Sequence, residues 1–152
     1  MSKTEAHRKG VLHRAVSILI FNSKGDFLLQ KRADTKYHSA GLWTNTCCSH
    51  PYPGETTPDA ANRRLMEEMG IACQLREMFS FTYHAAFPNG MIEHELDIVY
   101  FGEYESDPDI NTIEASDYRW IQSKELFRDV SRNPGHYTVW FRIILEKLET
   151  GH

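Results

Sequence analysis

The sequence predicts a mixed α and β protein built as one layered domain. Runs rich in β-branched and aliphatic residues alternate with stretches of helical periodicity, and turn-forming residues separate them. The length of 152 residues suits one domain with a substantial hydrophobic core, so residues 1–152 are expected to form a single domain. A hydrophobic content of 41% and a charged content of 25% are ordinary for a folded protein and exclude general disorder.

The first part of the chain is predicted to form a β-hairpin. Residues 14–22 are mostly β-branched and aliphatic, which indicates a buried strand, and residues 27–31 return after a turn as its partner. A loop is expected at 33–41, followed by a short apolar, threonine-rich stretch at 42–48. The prolines after this stretch exclude regular structure there.

A helix is predicted between Thr57 and Gly70. Thr57 supplies an N-cap hydroxyl, Pro58 suits the first helical position, and Gly70 suits the left-handed residue that ends a helix. Arginines and glutamates at i,i+4 spacing fit surface salt bridges, but they also fit a face that lines an anion and metal site. The charged pairs and the expected buried stripe are Arg63 with Glu67, Arg64 with Glu68, and Ala61, Leu65 and Met69.

The second half of the chain returns to strands and ends in helices. Proline, asparagine and glycine at 88–90 indicate a turn, and prolines mark two further breaks in the pattern. The predicted elements are an extended segment at 71–83, strands at 92–104 and 118–121, and helices at 123–132 and 133–148.

Charge and composition exclude several classes of function. Seventeen Lys and Arg against 21 Asp and Glu give a net charge of −4, which argues against a broad nucleic-acid surface. No apolar run approaches the roughly 18 residues of a membrane span, and the charged N-terminus is not a secretory signal. Three cysteines, two of them adjacent, make a poor disulfide framework. We therefore expect a cytoplasmic protein without a nucleic-acid or membrane partner.

One predicted strand carries an unusual row of acids. Because side chains alternate along a strand, Glu93, Glu95 and Asp97 share one face, while His94 and Leu96 point the other way. A solvated acidic face is the simpler interpretation. Like charges two residues apart repel each other, however, and a bound cation removes that cost. Carboxylates on one strand face are suitable ligands for a hard divalent cation.

Histidines and cysteines are the other candidate groups. His7, His13 and His50 together with two carboxylates would make a five-ligand site of nitrogen and oxygen, although spacing alone does not show that the five converge. Cys47 and Cys48 point to opposite faces if the chain is extended there, so at most one of them faces a pocket. The pattern leaves open which cysteine that is.

Residues 55–71 resemble a known motif. Their pattern, Glu-x7-Arg-x-Leu-x-Glu-Glu-x-Gly-Ile, is similar to the Nudix box, a loop–helix–loop that binds a divalent metal and a diphosphate. The resemblance implies a Nudix fold of the α/β (α+β) class, with a mixed β-sheet packed between helices. The chain departs from the hydrolase pattern in having Ser49 instead of Gly and Arg64 instead of Glu. A cation in place of a metal-binding carboxylate is expected to disable diphosphate hydrolysis by the usual route.

Three further motifs resemble one branch of the Nudix proteins, the type I isopentenyl-diphosphate isomerases. They are the cysteine motif at 44–51 (Thr-Asn-Thr-Cys-Cys-Ser-His-Pro), the glutamate motif at 93–95 (Glu-His-Glu) and the N-terminal motif at 12–15 (Leu-His-Arg-Ala). The similarity runs from about residue 3 to residue 140. It implies an isomerase that interconverts isopentenyl diphosphate and dimethylallyl diphosphate in the synthesis of isoprenoid precursors.

The resemblance also implies roles for individual residues. The implied catalytic residues are Cys48, Glu95, Tyr83 and Trp140. The implied ligands of a first divalent metal (Mn²⁺, Zn²⁺ or Mg²⁺) are His7, His13, His50, Glu93 and Glu95. Glu68 is implied to hold Mg²⁺ together with the substrate diphosphate. The implied cations around the phosphates are Lys3, Arg32, Lys36 and Arg64.

The implied reaction requires an acid and a base on opposite faces of a flat alkene. Glu95, bound to metal and with Tyr83 beside it, would give one proton, and Cys48 would take the other as a thiolate. The two groups would exchange roles in the reverse reaction. The face of Trp140 would stabilise the tertiary carbocation, and the diphosphate would supply remote binding energy.

Two alternatives stay open alongside the isomerase. One is a Nudix hydrolase of a nucleoside diphosphate derivative, against which Arg64 and Cys48 both argue. The other is a non-catalytic, diphosphate-binding Nudix module, which has no need of a pocket thiol. His7 and His13 lie one residue closer together than in the family pattern, and a one-residue deletion before His13 is the simplest account. We expect a monomer or weak dimer that acts on a small diphosphate.

Overall fold

The computed structural model describes residues 13–34, 39–86, 90 and 92–150, without the side chains of Ala85 and Glu93. This part of the chain forms seven strands and three α-helices, which confirms the expected mixture of α and β structure. No helix in it combines the length and apolar character of a membrane span. The elements are β1 (His13–Phe21), β2 (Phe27–Arg32), β3 (Trp43–Thr44), β4 (Cys47–Ser49), α1 (Thr57–Met69), β5 (Arg76–Ala86), β6 (Ile92–Glu103), β7 (Ala115–Ile121), α2 (Ser123–Arg132), a 3₁₀ turn (Pro134–His136) and α3 (Val139–Glu149).

The described strands form one mixed sheet in the order β3-β2-β1-β6-β5, with β4 paired to β1 and β7 paired to β2. β1 and β6 run parallel, and the other pairs are antiparallel. The parallel pairing extends from His13 opposite Glu95 to Phe21 opposite Glu103. These two central strands therefore set the level at which residues from distant parts of the chain meet.

Helices cover both faces of the sheet. On one face Ile18 packs in a cluster with Leu65 of α1, and we call this face the α1 side. On the other face Leu19 packs in a cluster with Phe141 of α3, and we call this face the α3 side. Because successive side chains of a strand alternate, a shift of one residue along a strand exchanges one side for the other.

Helix α1 forms as predicted, but its N-cap lies one residue earlier. The side chain of Thr56, and not that of Thr57, accepts the backbone N–H of Asp59, and Pro58 lies in the first turn. Gly70 ends the helix with a φ of 64°, in the left-handed region. The expected apolar stripe is buried and consists of Ala61, Leu65 and Met69.

The prediction of one continuous helix over 133–148 is wrong at its start. Pro134–His136 forms a separate 3₁₀ turn, and α3 follows an N-cap at Thr138. Between them, Tyr137 adopts an extended backbone because it forms a β-bridge with Trp43. A long-range pairing thus interrupts a helix that local propensity would have continued.

Gly70→Ala is expected to lower the free energy of unfolding by more than the about 1–2 kcal/mol that a left-handed conformation costs an ordinary residue. A Cβ at this position would lie 2.9 Å from both the Cβ and the carbonyl oxygen of Asp109, so a clash adds to the strain. Urea unfolding measures the change. Gly25→Ala is the matched control, because Gly25 has a φ of 81° but no atom within 4 Å of such a Cβ. Equal losses in the two variants would contradict the tight contact with Asp109.

Candidate functional site

Three potential metal ligands meet at one end of the β1–β6 pair. His13 begins β1, Glu95 lies opposite it on β6, and His50 follows β4. The Nε2 of His50 lies 2.8 Å from Oε1 of Glu95, and the Nε2 of His13 lies 3.9 Å from the same oxygen. The centroids of the two imidazole rings are 4.6 Å apart. Ligand atoms of all three residues lie within 4.8 Å of one another.

This set of donors fits a divalent metal ion. Two imidazole nitrogens and a carboxylate oxygen are the mixed ligands that such ions accept. Glu95 is only 1% exposed, and a cation would compensate the charge of a carboxylate buried to that extent. The described residues supply three of the five expected ligands. The groups that lie outside the described part of the chain are His7, Lys3, Lys36 and the side chain of Glu93.

Cys48 lies on the α3 side, and two of the hydrogen bonds of its sulfur are 3.0 Å or shorter. The Nε1–H of Trp140 donates to Sγ at 2.8 Å, and the thiol donates to Oδ1 of Asn45 at 3.0 Å. Cys48 pairs with Ser17 of β1, and it packs against the same core cluster as Trp140. The sulfur therefore sits on the side of the sheet that also carries Glu95.

Cys47 lies on the opposite side of β4. Its side chain is buried in the cluster on the α1 side, and its thiol donates to Oε1 of Glu68 at 3.3 Å. Burial raises the pKa of this thiol well above its ordinary value. The alternation along β4 thus separates the two adjacent cysteines, and Cys47 is the buried filler.

The surroundings of Cys48 raise the pKa of its thiol above the ordinary value. Burial raises its pKa to about 12, and the negative charge of Asp97 contributes to the rise. The charge of Arg32 and the hydrogen bond from Trp140 act in the opposite direction but do not outweigh it. A raised pKa favours the thiol over the thiolate, because burial removes part of the water that would solvate the anion.

Polar residues of β1 and β6 connect Cys48 with Glu95. Ser17, the strand partner of Cys48, donates from Oγ to Oδ2 of Asp97 at 2.8 Å, and both residues are buried. Asp97 lies two residues after Glu95 and therefore on the same side of the sheet. Tyr83 of β5 is paired with Glu95 across the strands and belongs to the core cluster on the α3 side. The phenol of Tyr83 is thus both a neighbour of the carboxylate and a core side chain.

The side chain of Arg32 points towards Trp140. The pairing of β2 with β7 shifts register between Lys31 and Arg32, but the extra residue of this bulge, Ser116, belongs to β7. The guanidinium carbon of Arg32 lies 5.3 Å from the ring centroid of Trp140. Gln30, two residues earlier, instead donates to Glu68 on the α1 side. Regular alternation would have placed Arg32 with Gln30, away from Trp140.

Arg64 and Glu68 form a second cluster on the α1 side. The guanidinium of Arg64 donates to Oε2 of Glu68 at 2.5 Å, to Oε1 of Glu67 at 2.7 Å and to Oγ of Ser49 at 2.9 Å. Among the described residues, none of the hydrogen bonds of Arg64 reaches Cys48 or the histidines. The structure therefore places two of the expected site residues apart from the rest, across β4.

The sequence pattern does not single out two of the groups at the site. Ser17 lies in an apolar strand, where a buried hydroxyl requires a hydrogen-bond partner. This requirement was the one feature of the sequence that could have pointed to Ser17. Asn45 lies inside the cysteine motif, but its contact with Cys48 depends on the turn between β3 and β4. No spacing rule encodes that turn.

Comparisons with known proteins agree with this geometry. Residues 11–141 match the model of the NUDIX domain. Isopentenyl-diphosphate Delta-isomerase 2 of Photorhabdus laumondii is 53% identical over 146 residues, which cover 96% of this chain and 82% of that protein. Isopentenyl-diphosphate Delta-isomerase of Pectobacterium atrosepticum is 51% identical over 148 residues, which cover 97% of this chain and 83% of that protein.

Solved structures agree on the fold. The crystal structure of the MutT protein from Methanosarcina mazei is similar with a TM-score of 0.72 and 22% sequence identity, and the match covers 91% of this chain and 94% of that one. At this identity the likeness concerns the fold alone, and with the NUDIX match it confirms the expected Nudix architecture. Given relatives of about half-identical sequence over nearly all of its length, the chain belongs to the isopentenyl-diphosphate Delta-isomerase family within the NUDIX superfamily.

Proposed function

We propose that the protein interconverts isopentenyl diphosphate and dimethylallyl diphosphate. The observation that carries this proposal is the placement of Cys48 and Glu95 on one side of the sheet, with Trp140 against the sulfur and His50 against the carboxylate. The names of the relatives, which state this activity, support it. A protein that only binds a diphosphate would not need Cys48 and Glu95 on the same side of the sheet.

The chemistry explains why two such groups are needed. Moving the double bond requires a proton to be added at one carbon and another proton to be removed two carbons away. The carbon between them carries the positive charge. An unactivated alkene is a very weak base, so protonation leads through a tertiary carbocation. One enzyme group must therefore carry a proton while the other lacks it, and both must reach the substrate from opposite faces.

In one direction of the reaction, the Cys48 thiol is the proton donor. A proton passes from Cys48 to one carbon of the substrate, and the carboxylate of Glu95 accepts the proton that leaves the other carbon. The opposite direction starts from the opposite distribution of protons. Tyr83, paired across the strands with Glu95, would position that carboxylate or relay its proton. The ring of Trp140 would offer a π-face to the carbocation, and exclusion of water around the bound substrate would keep the cation from being trapped.

The diphosphate would be held by cations on two sides of the site. Arg32 lies 5.3 Å from the ring centroid of Trp140, and Lys3 and Lys36 are proposed to join it at the phosphates. Arg64 and Glu68 would hold the phosphates together with Mg²⁺. Arg64 and Glu68 are bonded to each other in the described state, so the guanidinium lies beside the carboxylate where both would meet the phosphates.

A first metal would be held by the described triad of His13, His50 and Glu95, completed by His7 and Glu93. The mixture of imidazole and carboxylate ligands suits Mn²⁺, Zn²⁺ or Mg²⁺. When bound, such an ion stabilises negative charge on the Glu95 carboxylate and fixes its orientation. We propose that residues 1–152 form one domain around this site. We propose that it works in the cytoplasm as a monomer or weak dimer, without a nucleic-acid or membrane partner.

Incubation with isopentenyl diphosphate and Mg²⁺ in heavy water is expected to yield dimethylallyl diphosphate that carries deuterium. The label is expected because the added proton comes from enzyme groups that exchange with solvent. Proton NMR and mass spectrometry measure conversion and label together. A chelator should stop conversion, and adding back single ions identifies the metals used. Absence of conversion with every metal, or release of phosphate from nucleoside diphosphate derivatives, would contradict the isomerase and favour a hydrolase.

Cys48→Ala is expected to lower kcat by about 10²–10⁴-fold, the usual contribution of a positioned acid or base. Cys47→Ala is the matched control, since it removes the neighbouring thiol from the other side of β4. We expect Cys47→Ala to lose stability but to keep most of its turnover. Steady-state kinetics on both variants, with unfolding curves for each, separate the two effects. Equal turnover in the two variants would show that Cys48 has no part in proton transfer.

Glu95→Gln is expected to weaken the binding of Mn²⁺ or Zn²⁺ by more than the about 10–100-fold that follows the loss of an outer-shell partner. The reason is the loss of the one anionic ligand in the described triad. Isothermal titration calorimetry of metal-depleted protein measures this without substrate. Glu105→Gln is the control, because Glu105 bonds Ser23 beyond the far end of β1. Similar losses in both variants would place the metal elsewhere.

A further inference from the structure

The sulfur of Cys48 belongs to a chain of hydrogen bonds that joins β3, β4 and the start of α3, and the backbone of α3 closes it into a ring. The thiol of Cys48 donates to Oδ1 of Asn45 at 3.0 Å, and the hydroxyl of Thr44 donates to the same oxygen at 2.8 Å. The hydroxyl oxygens of Thr44 and Thr138 are 2.8 Å apart. Thr138 caps α3 two residues before Trp140, whose indole N–H returns to the sulfur.

The backbone around Asn45 determines the direction of these hydrogen bonds. Its Nδ2 lies 3.1 Å from the carbonyl oxygen of Ile18 and 2.9 Å from that of Cys47. Carbonyl oxygens only accept, so the amide nitrogen must face them and Oδ1 must face the sulfur. Because an amide oxygen also only accepts, the S–H of Cys48 and the O–H of Thr44 must both point at Asn45. Thr138 must then donate to Thr44, since the single proton of Thr44 is already used.

We propose that Asn45, supported by Thr44, is a positioning residue for the Cys48 thiol. Its side-chain oxygen fixes where the S–H bond points, while the N–H of Trp140 holds the sulfur from the other side. The resting thiol therefore has one orientation, and rotation about the Cβ–S bond turns the proton from Asn45 towards the substrate. This inference rests on the proposed function, in which Cys48 exchanges a proton with the substrate.

A neighbouring threonine shows that this arrangement is not a general feature of the motif. Thr46 is as deeply buried as Thr44, but its hydroxyl accepts from the backbone N–H of Ile20 and donates to the carbonyl of Leu28. It bonds only to the backbone of β1 and β2. Of the two motif threonines, only Thr44 is therefore linked to the sulfur, and Thr46 provides a matched control.

The test compares Thr44→Val with Thr46→Val, since valine keeps the shape and removes the hydroxyl. We expect Thr44→Val to lower kcat by about 10-fold or more, up to the about 10²-fold cost of a misplaced catalytic group. The KM should change by less than about twofold, because the phosphate contacts are untouched. Thr46→Val should lose stability but keep the kcat of the unaltered protein. Thr44→Ser, which keeps a hydroxyl, should have nearly the same kcat as the unaltered protein. Asn45→Ala should show a larger fall in kcat, and Thr44→Val decides the question if Asn45→Ala does not fold.

A second readout uses the free protein without substrate. The S–H stretching band of Cys48 in the Raman spectrum is identified by its loss in Cys48→Ala. It should move to higher frequency in Asn45→Ala, broaden in Thr44→Val and stay unchanged in Thr46→Val. If the band behaves in this way but no isomerisation occurs, the proposed function is wrong and the positioning of the thiol stands. Equal kcat and equal bands in Thr44→Val and Thr46→Val would overturn the positioning role.

Discussion

The parallel pairing of β1 with β6 is the interaction on which the site depends. It sets His13 level with Glu95, although the two residues come from opposite halves of the chain. The other strands take their positions from this pair: β5 adds Tyr83 beside Glu95, and β4 brings His50 against the same carboxylate. A slip of one residue would turn the Glu95 carboxylate to the α1 side, away from the two histidines. Such a slip would also expose the apolar side chains of the strand, so burial of both strand faces fixes the register of the site as well as that of the core.

The side-chain alternation along β4 divides the site into two compartments. Cys48 faces Trp140 on the α3 side, where burial raises the pKa of its thiol. On the α1 side, the two departures from the hydrolase pattern contact each other, because Arg64 donates to Ser49. The same guanidinium neutralises Glu68, so the carboxylate of the Nudix helix has a cationic partner built into the chain.

The elements set by local patterns were predicted well, and those set by distant contacts were not. Helix α1 has its stop at Gly70 and its buried stripe as expected, because capping and periodicity act within a few residues. The start of α3 was missed because Tyr137 bridges Trp43. The direction of Arg32 was likewise beyond prediction from alternation, because Arg32 ends β2 and its guanidinium lies over the distant ring of Trp140.

For the site, the sequence alone determined which residue types share a face and what they resemble. The common face of Glu95 and Asp97, the opposite faces of Cys47 and Cys48, and the family motifs all follow from short spacings in the chain. The tertiary structure decided that two histidines and Glu95 meet within 4.8 Å, and that Asn45 receives the Cys48 thiol. These facts depend on strand register and on the packing of α3 against the sheet. Both are set by long-range pairing, and the spacing of residues along the chain carries no information about either.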